Sequence, residues 1–266
     1  MSDYLPFLLW PLVACVVLVG IHVYFGLHVI RRGIIFVDLS LAQVAALGTT
    51  VSFLMGQHPN DIGAYLSSLG FALVGSTIFT FTRDIEGRVP HEAIIGIVYA
   101  VSSAAAIIAV SHSAEGAEHI RFLLVGSILT VTPAMVLKTA GVYAAVGLFH
   151  WLARRRFIAL TFGGAIAHSR WWDFLFYGTF AIVVTSSVKI CGVLLVFIFL
   201  VVPSVFAALL TDRIAYRLMY GWLFGLAGSI LGLVLSFWLD TPTGATIVCT
   251  FGALLGTFGI VRTFRR

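Results

Sequence analysis

The run GIIFVDLSLAQVAALGTTVSFLMG, residues 33–56, is long enough to cross a lipid bilayer and yet carries an aspartate, Asp38. About 20 predominantly apolar residues suffice for one helical crossing. An ionised carboxylate in hydrocarbon costs at least ~3 kcal/mol, so an ionisable group inside a span is by default a candidate functional residue. Arg31 and Arg32 stand just ahead of the run, and Asp38 falls about one helical turn inside from them. Two readings follow: Asp38 is an interfacial ion-pair partner of those arginines, or it is a group that acts on something else. Position alone leaves both open.

Similar apolar runs recur from end to end. Of 266 residues, 60% are hydrophobic and only 10% are charged, with a mean hydropathy of +1.06, which places the chain among integral membrane proteins. The formal charge of +5 lies in arginines set between hydrophobic runs, so it reads as an orientation signal and not as a nucleic-acid surface. Lys138 and Lys189 are the only lysines, and no Gly-x-x-x-x-Gly-Lys-Ser/Thr loop occurs, so nucleotide use must belong to another subunit. Neither a Gly-x-Ser-x-Gly elbow nor a His-Glu-x-x-His helix is present, which leaves intramembrane hydrolysis without support. Cys15, Cys191 and Cys249 fall in separate apolar runs without a Cys-x-x-Cys pair and read as core packing residues.

Charges and turn formers divide the chain into an all-α polytopic bundle with eight or nine transmembrane helices, a single transmembrane domain over residues 1–266. Helix one is expected over Leu5–Ile30 and is read as retained, since the segment lacks a basic leader and is too long for a signal-peptide core. Residues 33–56 form the second helix, and Ile62–Thr82 and His91–Ser111 the next two. From Arg121 to Leu152 the run is too long for one straight crossing, and Thr132-Pro133 supplies an N-cap followed by proline at the first helical position. A short half-helix plus a full span, broken near Thr132-Pro133, is expected there. A basic loop spans Arg154–Trp172, Asp173–Leu210 divides near Lys189–Gly192 into two spans, and helices at Tyr216–Trp238 and Thr243–Val261 complete the set.

With the N-terminus outside and nine crossings, 13 of the 16 basic residues face one side; only Arg121, Lys138 and Lys189 do not. That side is the expected cytoplasm, with the C-terminus in it. Gly221, Gly225, Gly228 and Gly232 recur along the penultimate helix, and Gly252 and Gly256 form a Gly-x-x-x-Gly pair, patterns that permit close helix approach within the chain or between copies.

Three further stretches carry a resemblance. Gly192-Val-Leu-Leu-Val-Phe-Ile-Phe-Leu-Val-Val-Pro203-Ser-Val-Phe-Ala207 is a glycine-led, leucine-rich helix ending in Pro-x-x-x-Ala; Ser236-Phe-Trp-Leu-Asp240-Thr-Pro242-Thr-Gly244-Ala is a turn between the last two helices; Glu92-Ala-Ile-Ile-Gly96-Ile puts an acidic residue before an Ile-Gly-Ile helix start. As a set, in this order, they resemble the membrane subunits of ATP-binding-cassette importers for zinc, manganese and iron. The resemblance implies a permease of the cell (inner) membrane that moves a divalent transition metal inward. It implies a second permease copy, a cytoplasmic ATP-binding subunit and an extracytoplasmic metal-binding protein as partners. The metal passes as cargo, with no cofactor held by the chain and no nucleic-acid partner.

In this family an aspartate ahead of a Ser-His pair lines the metal path where two copies meet, and Asp38 matches that aspartate. The histidine does not carry over: Ala42 stands four residues beyond, with Gln43 next. Asp38 and Gln43 are therefore the candidate metal-path residues, an oxygen set that suits harder ions than an imidazole would. Thr161–His168, in the basic loop, takes the place of the family's ATPase-docking helix, without the acidic residues usual there.

Other polar groups have competing readings. His112, Glu115, Glu118 and His119 form an outer loop that could receive a metal ion or be a solvated turn. His22 and His28, six residues apart, do not share a helix face and read as packing or interfacial residues. Glu92 and Asp173 each open a helix, where a carboxylate complements the dipole, and Asp240 caps a turn. The rival function is a secondary transporter or channel for a cation that uses Asp38.

Overall fold

The computed structural model describes residues 5–58, 61–83, 89–111, 116–126, 128–163 and 169–264, and every regular element among them is helical. The helices are α1 (Leu5–Arg32), α2 (Val37–Leu54), α3 (Ile62–Thr82), α4 (His91–Val110), α5 (Gly116–Val125), α6 (Pro133–Leu152), α7 (Arg154–Phe162), α8 (Arg170–Leu210), α9 (Ile214–Leu239) and α10 (Thr243–Phe264). Eight of them, all except α5 and α7, are long and apolar enough to cross a membrane. In a bilayer only helices can satisfy their own backbone over such lengths, which is why an all-apolar chain of this size takes this form.

The break before α6 is built as the residues dictate. Thr132 is extended at φ −92°, ψ 155°, its hydroxyl accepts the Met135 amide at 3.3 Å, and Pro133 fills the first helical position. The short helix ahead of it lies earlier than expected: α5 begins at Gly116, inside the stretch read as a polar loop, and ends at Val125 before a single 3-10 turn, Ile128–Thr130. Part of the basic loop is also helical. In α7 the buried Phe157 stacks on His150 with ring centroids 3.9 Å apart, an apolar anchor that the run of three arginines concealed.

At 1.5 Å per residue the 41 residues of α8 would reach about 61 Å, twice the ~30 Å hydrocarbon core. It does not run straight: Gly192, at φ 75° and ψ 167°, divides it into two arms. Contacts with α1 give the direction of each. Asp173 opens the first arm beside Arg32, at the end of α1, and Ser187 lies 3.1 Å from His22, further back along α1. On the second arm Ser204 donates to the Val23 carbonyl at 3.3 Å, and the Leu209 carbonyl accepts from Arg262, at the end of α10. Packing of α9 on α1 pairs Gly221 with Val23 and Gly225 with Val19, and packing of α10 on α9 pairs Gly228 with Phe251 and Gly232 with Ile247. Both pairs are antiparallel, so Arg262 sits at the Arg32 end. The second arm of α8 thus returns to the end from which the first arm left. The division expected near Lys189–Gly192 is real, and with it the described residues make nine traverses. The glycine pattern of α9 serves packing within the chain, on α1 with one half and on α10 with the other.

At the Arg32 end the bundle is tied by one carboxylate. Asp173 is fully buried, and its Oδ1 accepts from Nη1 of Arg32 at 3.2 Å and from Nη1 of Arg83. Arg32 also lies over the Phe176 ring, 4.1 Å from its centroid. The helix-opening position of Asp173 is as expected, but the dipole is the lesser part of its role: it is the counter-ion through which α1, α3 and α8 meet. His28 hydrogen-bonds the Thr161 hydroxyl at 2.6 Å, and Arg32 Nε donates to the same oxygen at 3.3 Å, so α7 is held to this cluster as well. His22 and His28 are buried packing residues, as read; of the three cysteines, Cys15 and Cys191 lie in the core, whereas Cys249 is exposed.

Asp173→Asn leaves Arg32, 4% exposed, without its counter-ion, a change expected to cost about 3–5 kcal/mol. Asp212→Asn, which removes the exposed partner of Arg217, is expected to change little; thermal unfolding of the detergent-solubilised variants compares the two. A Cβ on Gly26 would meet the Leu200 carbonyl oxygen and the Ser204 hydroxyl at 2.2 Å, whereas one on Gly20 meets nothing within 4 Å. Gly26→Ala is therefore expected to destabilise by about 1–3 kcal/mol and Gly20→Ala to be neutral, in the same measurement.

Candidate functional site

Asp38 lies in the first turn of α2, after the tight turn that Gly33 makes at φ 68°. The helix is packed among α3, α4 and α8, and the Asp38 side chain is completely buried. Neither carboxylate oxygen has a hydrogen-bond partner among the described residues. The favourable groups nearest to it are the backbone amides of Asp38 and Leu39, the free N–H ends of the first helical turn. Neither Arg31 nor Arg32 pairs with it: Arg32 is taken by Asp173, and Arg31 lies over the Phe162 ring. Of the two readings of Asp38, the interfacial ion pair is therefore excluded.

A second carboxylate converges on the same turn. Glu92, in the first turn of α4, accepts the Phe36 amide through Oε1 at 3.1 Å, while its Oε2 is buried without a partner, and it lies within electrostatic range of Asp38. The Ser40 hydroxyl is likewise buried and unpartnered among the described residues. Glu92 was legible as a helix-opening acid and as part of a motif; its place beside the α1–α2 turn depends on how α4 packs against α2, which no local pattern encodes.

Gln43 is also buried, at 7% exposure, on the same helix. Five positions at 100° each put it about 140° around the axis from Asp38 and about 7.5 Å along it. The two candidate residues are thus not brought to one point. Among the described residues no three His, Cys, Asp or Glu side chains cluster as a preformed metal site. Of the outer loop, His112 and Glu115 and the His119 side chain lie outside the described residues, and Glu118 is an exposed partner of Arg121 at 3.9 Å. Residues 164–168 of the expected docking segment also lie outside them. Asp240 takes the left-handed conformation, φ 49° and ψ 48°, that closes α9, with Ser236 bonding Thr241 and Thr243 across the turn.

Chemically, Asp38, Ser40 and Glu92 offer hard oxygen donors at the α1–α2 turn. Buried carboxylate oxygens without partners are tolerated when a proton or a cation satisfies them, and oxygen sets of this kind suit hard divalent ions better than thiophilic ones.

The chain is similar to known proteins over most of its length. A manganese transport system membrane protein, MntC, of Listeria innocua is 22% identical over 84% of this chain and 79% of its own length. A chelated iron transport system membrane protein, YfeD, of Yersinia pestis is 24% identical over 91% of this chain and 81% of its own. The solved structure of PsaBC from Streptococcus pneumoniae in complex with Fab shares the fold, with a TM-score of 0.78 at 21% identity, covering 96% of this chain and 92% of that one. A model of the ABC 3 transport family matches residues 4–260, nearly the whole bundle including both arms of α8, and the chain belongs to that family.

Proposed function

We propose that the chain is the membrane-spanning permease of an ATP-binding-cassette importer that carries a divalent transition metal into the cytoplasm. The observation that carries this reading is the Asp38 carboxylate, buried and unpartnered in a chain of the ABC 3 transport family. Named relatives carry manganese or iron. The oxygen donors that Asp38, Glu92 and Ser40 present there favour manganese or iron(II) over zinc.

In this reading Asp38 meets the metal in transit, and Gln43, further along α2 and on another face, lines a separate stretch of the path. A second copy of the chain completes the route. The faces that α4 and α10 leave uncovered, with Ile97, Val101, Ile108 and Ile260 exposed, are available to it and to lipid. The arginine-rich end holds the C-terminus and faces the cytoplasm. There the ATP-binding subunit docks near α7, whose tie to the Arg32–Asp173–Arg83 cluster through Thr161 gives the motor a route into α1, α3 and α8. An extracytoplasmic binding protein delivers the ion at the opposite end. The ATPase partner performs the hydrolysis and this chain only the transport.

Reconstituted with its ATPase, the permease is expected to take up Mn²⁺ in an ATP-dependent, vanadate-sensitive manner. Asp38→Asn should lower that uptake at least about tenfold, with assembly intact by size-exclusion chromatography. Gln43→Ala should have a smaller effect. Uptake by the permease alone in a proton gradient would instead establish a secondary transporter, and unchanged uptake by Asp38→Asn would remove Asp38 from the path.

A further inference from the structure

The two lysines of the chain face one cavity. It has a volume of about 600 Å³, opens at the end of the bundle away from Arg31 and Arg32, and lies where α3, α6 and the apex of α8 meet. Lys138 comes from α6 and Lys189 from the first arm of α8. Among the described residues neither forms a salt bridge or a hydrogen bond, and Lys189 lies within electrostatic reach of both Lys138 and Asp61. Asp61 at the rim accepts the His58 amide at 2.9 Å, so its carboxylate is partly engaged, and the cavity keeps a net positive charge.

Two helices also begin there. The first turn of α6 lines the cavity through Thr132, Ala134 and Met135, and α3 starts at the cavity with Asp61 and Ile62, without a side-chain capping bond. Helix N-termini carry partial positive charge; at α6, where Pro133 has no N–H and Thr132 takes that of Met135, the Ala134 amide is the one left uncapped in the first turn. Hydroxyl groups complete the lining. Thr139 is nine-tenths buried, lines the cavity, and has no hydrogen-bond partner among the described residues; Tyr65 and Ser186 stand beside it, 3.3 Å apart from each other. A bare divalent cation is repelled from such a place, whereas an oxyanion finds two ammonium groups, two helix ends and a free hydroxyl.

We propose that this cavity binds an oxyanion, a phosphate or carboxylate group held between Lys138 and Lys189 with Thr139 as a further donor. The group can come from a free anion, such as an acid that chelates the cargo, or from the headgroup of an anionic lipid. The proposal stands apart from the metal-import reading, because it is tested by binding to the permease alone.

Delipidated permease in detergent is titrated calorimetrically with inorganic phosphate and with citrate, and separately with soluble short-chain phosphatidylglycerol, as wild type and as Lys138→Gln/Lys189→Gln. Thr139→Val serves as a second, milder variant, and thermal unfolding checks that each is folded. Saturable binding of phosphate or citrate that weakens at least about tenfold in the double variant supports the proposal with a free anion as the source. Binding of phosphatidylglycerol alone, weakened to the same degree, supports it with lipid as the source. Absence of binding of all three to folded wild type, or equal binding by wild type and the double variant, overturns it.

Discussion

A single buried carboxylate decides how charge is distributed in this bundle. Asp173 pairs with guanidinium groups from two other elements, Arg32 of α1 and Arg83 at the end of α3, in surroundings where an unpaired ion costs several kcal/mol. The attraction fixes the relative positions of α1, α3 and α8 at one end, and the hydrogen bonds of Thr161 fasten α7 to the same point. Its second consequence is indirect. By engaging Arg32, Asp173 leaves the carboxylate of Asp38, six residues beyond Arg32 in the chain, without a hydrogen-bonded cation among the described residues. A structural ion pair and an unsatisfied carboxylate thus arise side by side from one choice of partner.

Two local clusters of opposite character lie at the two ends of the molecule. At the Arg32 end the unpartnered buried atoms include carboxylate oxygens of Asp38 and Glu92. At the other end the lysines of the chain gather on a cavity into which two helices point their N-termini. Locally, a cation finds free carboxylate oxygens where α2 begins and ammonium groups at the cavity, although the Arg32 end as a whole carries most of the arginines. The asymmetry follows from named side chains and does not depend on which ion crosses.

Hydropathy and turn chemistry made the helices readable, because in lipid the backbone has few alternatives. Thr132-Pro133 encoded its break outright, and Gly192 marked the fold-back of α8. The arginine count favoured an odd number of crossings, and the return of the second α8 arm to the Arg32 end agrees with it. Where local composition competed with packing, reading failed. Three successive arginines hid the apolar face of α7, which is defined by Phe157 and Leu160 against the bundle, and a run of charges hid the start of α5. Asp173 and Glu92 were legible as helix-opening acids, but their partners come from residues 56 to 141 positions away. Asp38 stood out as an anomaly of polarity, while its lack of a partner is a property of the whole fold.

The oxygen atoms around the α1–α2 turn set a limit on what one protomer can do. Asp38 offers two, Glu92 one that is free, and Ser40, two positions along the helix, points about 200° away from Asp38. Hard divalent ions take six or more oxygen ligands, so this set cannot enclose one without help. Water can supply part of the shell. The remainder has a natural source in the arrangement of α4: it carries Glu92 at its first turn and leaves much of its length uncovered, so a second copy packed on that face would bring its own side chains next to the same carboxylates. In the proposed reading, the incompleteness of the site within one chain and the bare face of α4 have one explanation, a cation path completed by a second copy.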